Sequence, residues 1–94
     1  MDTFKHISVE ELFRQDLSDA TLLDVREPDQ ALLGTIDGAV NIPFSALEKQ
    51  PELAPKTGDV YVFCQEGNRS LEAAALLSAE GLAVTNVDGG WTAI

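Results

Sequence analysis

The chain has few cations, a single cysteine and no long apolar segment. Its 94 residues include 6 lysines and arginines against 16 aspartates and glutamates, a formal net charge of -10. Nucleic acids and anionic membranes are therefore not expected as partners, because no basic cluster is present to displace their counterions. One cysteine cannot form an internal disulfide, and no apolar run approaches the roughly 18 residues of a membrane helix. The first residues do not form a signal peptide, so we expect a cytoplasmic protein in a reducing compartment.

Hydrophobic residues make up 45% of the chain, enough for one core, and we expect a single domain over residues 1–94. Strand-like and helix-like segments alternate, which favours a parallel sheet with helices on both faces. Strands are predicted around Ile7 and over Thr21–Arg26, Gly38–Pro43, Val60–Phe63 and Leu82–Val87. Helical segments are predicted after Ser8, Pro28 and Ser45, from Ser70 to Gly81, and after Asp88, with a loop over residues 51–59.

The lone cysteine, Cys64, falls where the strand Val60–Phe63 ends and a tight loop begins. A helix follows this loop, so the sulfur is expected to face the loop amides and the positive end of a helix dipole. That position favours an anion and would raise the fraction of reactive thiolate. Gly67 is expected to supply a positive φ, and Asn68 tolerates a similar conformation. A buried, inert cysteine is the alternative interpretation.

Charged residues mark the same edge of the predicted sheet. Asp24 and Asp88 each end a strand, as Cys64 does, and ligands of parallel sheets bind beyond these carboxyl ends. Arg69 lies in the first turn of a helix, where a cation is unfavourable unless an anion compensates it. Asp24, Asp88 or a bound anionic substrate would supply the negative charge that compensates Arg69. Asp24 and Arg26 are expected mainly to stabilise the fold through a hydrogen bond or ion pair.

Four segments together resemble the rhodanese family of single-domain sulfurtransferases, in order and in spacing. They are Leu23–Pro28, Gly38–Pro43, Cys64–Ser70 and Asp88–Trp91, and they span most of the chain. The resemblance implies a rhodanese-like α/β fold, a five-stranded parallel sheet with helices on both faces. It places the cysteine loop over the carboxyl edge of that sheet.

The resemblance also implies a reaction. The cysteine takes a sulfane sulfur from a donor such as thiosulfate, a persulfide or a polysulfide, becomes a persulfide, and passes the sulfur to cyanide or a thiol. Neither a cofactor nor a metal is expected; the partners are a small sulfur-containing anion or thiol, and a sulfur-acceptor protein is a further candidate. Cys64 would be the nucleophile, with a substrate cradle formed by Gln65, Glu66, Gly67, Asn68, Arg69 and Ser70 and with Asp24, Arg26 and Asp88 in support.

One departure from the family pattern affects the site. The family often has a histidine where this chain has Thr35, and the lone histidine, His6, is expected to be solvated near a flexible start. Two other functions stay open: a phosphatase or arsenate reductase, and a binding module without turnover. The related cell-cycle phosphatases carry one residue more between cysteine and arginine than the four present here, and the smaller loop suits a single sulfur atom better than a phosphate.

Overall fold

The computed structural model describes residues 4–55, 58–66 and 68–94. Five parallel strands form one sheet, as the sequence predicts, in the order β1-β5-β4-β2-β3. The strand with the β-branched and aromatic run, β4, therefore lies at the centre, with its end buried between two neighbours. The strands are β1 (Lys5–Ile7), β2 (Ala20–Asp24), β3 (Val40–Asn41), β4 (Asp59–Phe63) and β5 (Ala83–Val87).

Four α-helices connect the strands, and the longest begins earlier than expected. Its first residue is Asn68 rather than Ser70, so Asn68 lies in the helix with a negative φ. The loop predicted over 51–59 contains a 3₁₀ turn at Pro51–Leu53, and its last residue, Asp59, belongs to β4. The segment after Asp88 is also a 3₁₀ turn, Gly90–Ala93. The helices are α1 (Val9–Leu12), α2 (Pro28–Leu32), α3 (Phe44–Lys49) and α4 (Asn68–Ala79).

The core lies on both faces of the sheet because side chains alternate along each strand. On one face, strand residues pack against α3 and α4; on the other, they pack against α1 and the 3₁₀ turn that carries Trp91. The first cluster includes Leu23, Val60, Val62, Leu47, Ala73, Ala74 and Leu77, and the second Leu12, Leu22, Phe63 and Val87.

The buried face of α4 is rotated from the one that simple spacing indicates. Helical spacing in the sequence predicts a packed face of Leu71, Ala74, Ala75 and Leu77. Ala74 and Leu77 are buried, but Leu71 and Ala75 are exposed. Ser70 and Ala73 occupy the interface instead. Small residues let the helix approach the central strands closely, and the strands supply the bulk of the core there.

His6 lies in β1 rather than in a flexible start, and its side chain is exposed, as the sequence predicts, while it contacts Asp88. Its Nδ1 is 2.9 Å from Oδ1 of Asp88, and the Asn86 amide donates to the same oxygen at 2.8 Å. Partial burial raises the pKa of Asp88, but the hydrogen bonds from His6 and Asn86 outweigh burial and hold the pKa below its usual value of 3.8. The pair ties edge strand β1 to the end of β5.

Replacing His6 by alanine should lower stability modestly and in a pH-dependent way. Both side chains are partly exposed, so the loss is below about 1 kcal/mol, or at most roughly 5 °C in melting temperature. Because the pKa of Asp88 is lowered on folding, its carboxylate stabilises the fold above pH 3.8, and this contribution disappears as the pH falls through and below that value. Thermal melts of His6→Ala and wild type should converge in acid. Lys5→Ala in the same strand is the control, and a difference that is equal at neutral and acid pH would contradict this.

Candidate functional site

A pocket of about 310 Å³ opens at the carboxyl edge of the sheet, where β2 and β4 end side by side. Two segments form it: the connection from β2 into α2, and the loop from β4 into α4. The amide of Val25 donates to the carbonyl of Phe63 at 3.0 Å, so the two walls are joined at their base. The lining residues are Val25, Arg26, Glu27, Gln30, Cys64, Gln65, Glu66, Asn68 and Arg69.

Cys64 forms the floor of this pocket. The residue is only 4% exposed and belongs to the apolar cluster beneath α4. It therefore lies deep in the pocket, away from the solvent. Burial follows from its place at the end of the central strand, between β2 and β5. Its carbonyl accepts a hydrogen bond from the amide of Trp91 at 2.8 Å. Of the expected cradle, Gly67 lies outside the described residues, and Ser70 is fully buried and does not line the pocket.

Gln65 is held at two points. Its backbone carbonyl accepts from the amide of Thr92 at 3.0 Å, and its side-chain Oε1 accepts from Nη1 of Arg26 at 3.2 Å. The residue after the cysteine is thus fixed both to the C-terminal 3₁₀ turn and to the opposite wall of the pocket. Sequence reasoning assigned Gln65 only a backbone role; the side-chain contact crosses 39 positions in sequence.

Arg26 is a buried cation that lines the pocket. Its Nε and Nη2 donate to the carboxylate of Asp24 at 2.8–3.2 Å, and Nη2 also donates to the carbonyl of Gly34 at 2.6 Å. The guanidinium carbon lies 5.0 Å from the ring centre of Trp91 and 5.9 Å from that of Phe63. These contacts agree with the fold-stabilising interaction expected for Asp24 and Arg26.

Asp24 is fully buried and satisfied by several donors besides the guanidinium. The amide of Arg26 donates to Oδ1 at 3.0 Å, and the hydroxyl of Thr35 donates to Oδ2 at 2.9 Å. Thr35 stands where the family often has histidine, so the hydroxyl supplies a hydrogen bond at this position. Asn41 closes the network by donating to the backbone carbonyls of Asp24 and Arg26, each at 2.9 Å.

Arg69 is exposed on the first turn of α4, with its guanidinium 5.5 Å from the ring centre of Phe44. Neither carboxylate that the sequence offered as a partner is paired with it, since Asp24 binds Arg26 and Asp88 binds His6. The residue also belongs to the pocket lining. Asp88 lies apart from the pocket lining, whereas Glu66 and Asn68 are exposed parts of that lining.

A family model described as the rhodanese-like domain matches residues 8–94. The chain belongs to this family. YqhL of Bacillus subtilis, described as uncharacterized, is 40% identical over 83 residues, which are 87% of this chain and 66% of YqhL. A sulfurtransferase of Allochromatium vinosum is 34% identical, over 80% of this chain and 71% of that protein. The thiosulfate sulfurtransferase GlpE of Ectopseudomonas mendocina is 32% identical, over 97% of this chain and 84% of GlpE.

Solved structures agree with the rhodanese fold. A rhodanese-related protein from Thermoplasma volcanium superposes with a TM-score of 0.86 at 33% identity, over 96% of this chain and 90% of that one. The human single-domain sulfurtransferase TSTD1 gives a TM-score of 0.79 at 31% identity, over 94% of this chain and 92% of TSTD1. None of the helices in the part of the chain that the structure describes has the length and apolar character needed to cross a membrane.

Three lining residues of this rhodanese-like domain were missed by sequence reasoning: Val25, Glu27 and Gln30. Val25 and Glu27 come from the β2–α2 connection, and Gln30 comes from α2 itself. The rule that parallel sheets bind ligands beyond their carboxyl ends indicates this segment as well as the cysteine loop, because β2 and β4 are neighbours. That β2 and β4 are adjacent in the sheet is a long-range property, which local sequence patterns do not predict.

Proposed function

We propose that this rhodanese-like domain is a sulfurtransferase that moves a sulfane sulfur from a donor to a thiophilic acceptor through a persulfide on Cys64. The observation that carries the proposal is the placement of the lone cysteine at the floor of the pocket, with Arg69 in its lining. The family membership and the sulfurtransferases among its relatives support the same reaction class.

The reaction proceeds in two displacements. The thiolate of Cys64 attacks the outer sulfur of the donor; a new S–S bond forms, and the donor's own bond to that sulfur breaks. With thiosulfate the leaving group is sulfite, which carries away the electron pair. An acceptor thiolate or cyanide then attacks the terminal sulfur of the persulfide, and the thiolate of Cys64 leaves. No net oxidant is required, and the loop amides and Arg69 would stabilise the anionic states.

The charge of the pocket favours a donor with little negative charge. Glu27 and Glu66 both line it, Arg26 is already paired with Asp24, and the whole chain carries -10. Thiosulfate is a dianion and is repelled at long range, most strongly at low salt. An organic persulfide or organic polysulfide, whose sulfur chain lacks the second negative charge of thiosulfate, is the better donor, with cyanide or a thiol as acceptor. We propose that the protein functions in the reducing environment of the cytoplasm.

Release of sulfite without an acceptor tests the two-step scheme. Wild-type protein mixed with thiosulfate should release about one sulfite per chain and then stop, because the persulfide blocks further turnover. Added cyanide should restart the reaction and yield thiocyanate. Sulfite release that requires the acceptor from the start would contradict the covalent intermediate. Binding without release would favour a binding module, and Cys64-dependent hydrolysis of an aryl phosphate would favour the phosphatase.

Replacing Arg69 by alanine should weaken use of an anionic donor far more than folding. Loss of one charge-assisted hydrogen bond of about 1.5–3 kcal/mol lowers kcat/KM for thiosulfate by roughly 10–100-fold. The contact with Phe44 is exposed, so the free energy of unfolding should change by less than about 1 kcal/mol. Steady-state kinetics and chemical denaturation measure the two effects, with the exposed Arg14→Ala as control. Equal losses of activity and stability would make Arg69 a structural residue.

A further inference from the structure

Helix α2 is unusual because none of its five residues is buried. Leu32, its last residue, is 86% exposed, and Leu33, which follows it, is 92% exposed. Helices this short are not stable in isolation and normally depend on packing of an apolar face. Two leucines presented to solvent side by side therefore indicate a surface that another molecule covers.

The exposed leucines continue one wall of the pocket. Gln30 lines the pocket from α2, and Leu33 follows it by three residues. Positions three apart share one face of a helix, so Leu33, the C-cap of α2, lies on the same side of the helix as Gln30, next to the pocket lining but not part of it. A molecule seated on Leu33 would lie beside the entrance to Cys64.

The surroundings of these leucines are acidic. Glu27 and Asp29 lie exposed on the same connection and helix, whereas the opposite wall of the pocket carries one exposed acidic residue, Glu66, and one exposed basic residue, Arg69. The surface is part of a chain with a net charge of -10. Charge complementarity therefore selects a cationic occupant and disfavours both an anionic membrane and a second copy of this chain.

We propose that a docking face formed by Glu27, Asp29, Leu32 and Leu33 binds a basic segment of a partner protein. An apolar side chain of that segment would cover the two leucines, and its lysines or arginines would face the carboxylates. The docked segment would bring a thiol or persulfide to the pocket, and this last step rests on the proposed sulfurtransferase function. Such docking explains how an acidic protein takes sulfur from, or gives it to, a macromolecule.

Peptide binding tests the docking face without requiring sulfur transfer. The probe is a fluorescein-labelled peptide of alternating lysine and leucine with a central serine, titrated with the wild-type chain in a fluorescence anisotropy assay. We expect binding at low salt that weakens about tenfold or more when glutamate replaces lysine. Glycine in place of the peptide leucines should also weaken it about tenfold, since the apolar contact is lost.

Variants of the face locate the binding. Leu33→Ser and the double variant Leu32→Ser/Leu33→Ser should weaken binding of the lysine-leucine peptide by about tenfold or more. Leu53→Ser, which removes a 46% exposed leucine in the distant 3₁₀ turn, should leave binding unchanged. Equal binding of the basic and acidic peptides, or equal affinity of all variants, would overturn the proposal. Self-association of the wild type in sedimentation that is lost in the double variant would also overturn it, by making a second copy the occupant. Failure of sulfur transfer alone would appear in the sulfite assay and not in these titrations.

Discussion

Replacing Cys64 by serine is expected to abolish sulfur transfer, with kcat reduced by at least about 10³-fold. A serine hydroxyl is a poor nucleophile towards sulfane sulfur and forms no stable persulfide, so both displacements are lost. Cys64 is the only cysteine, and no other thiol of the chain can replace it. Thiocyanate formation from cyanide and a series of sulfane donors measures the loss.

The matching control is the stability of the same variant. Serine is nearly isosteric with cysteine, so thermal unfolding should show a two-state transition with a loss of no more than about 2 kcal/mol. The activity of Arg69→Ala should lie between those of wild type and Cys64→Ser, since this variant retains the nucleophile. Residual activity in Cys64→Ser close to that of Arg69→Ala would mean that sulfur is not carried on the thiol.

Replacing Asp24 by asparagine should produce the largest loss of stability. The carboxylate is fully buried and accepts from Arg26, so its removal leaves an uncompensated guanidinium in the interior. Breaking one side of such a pair costs about 3–5 kcal/mol, which corresponds to a fall in melting temperature of more than roughly 10 °C. Activity should fall as well, because Arg26 positions the side chain of Gln65 next to the cysteine. Thermal and denaturant unfolding measure the effect.

A double replacement separates the burial of charge from the loss of contacts. Asp24→Leu combined with Arg26→Met removes both charges and should destabilise less than the sum of the two single changes. The exposed Asp37→Asn is the surface control and should change stability by less than about 0.5 kcal/mol. Additive effects of the two single changes would contradict a coupled buried pair.

The sequence was informative about the sheet and the edge of the sheet where the pocket lies. Val60–Phe63 identified the central strand by its β-branched and aromatic residues, and Cys64 at its end marked the position of the pocket floor. Ser8 was recognisable as a helix cap, and its hydroxyl oxygen accepts from the amide of Glu11 at 3.1 Å. These features follow from local propensity and from the rule for parallel sheets, so they are readable without coordinates.

Contacts between segments that are distant in sequence could not be predicted from local patterns. His6 meets Asp88 across 82 positions, and no local pattern distinguishes this contact from a solvated histidine near the start of the chain. The side chain of Gln65 likewise finds Arg26 only because β2 and β4 are neighbours. The exposure of Leu32, the last residue of α2, is likewise not evident from the sequence, since leucine in a helix normally packs into the core.

The most direct test of the central claim is the mass of the intact protein after incubation with sulfane donors, followed by peptide mapping. We predict an increase of one sulfur atom per chain, located on Cys64 and removed by a thiol reductant. A larger fraction of the chains should carry the added sulfur with an organic persulfide or organic polysulfide than with thiosulfate, because the acidic pocket disfavours the thiosulfate dianion. An unmodified mass with every donor, or sulfur bound elsewhere in the chain, would contradict a persulfide mechanism at this site.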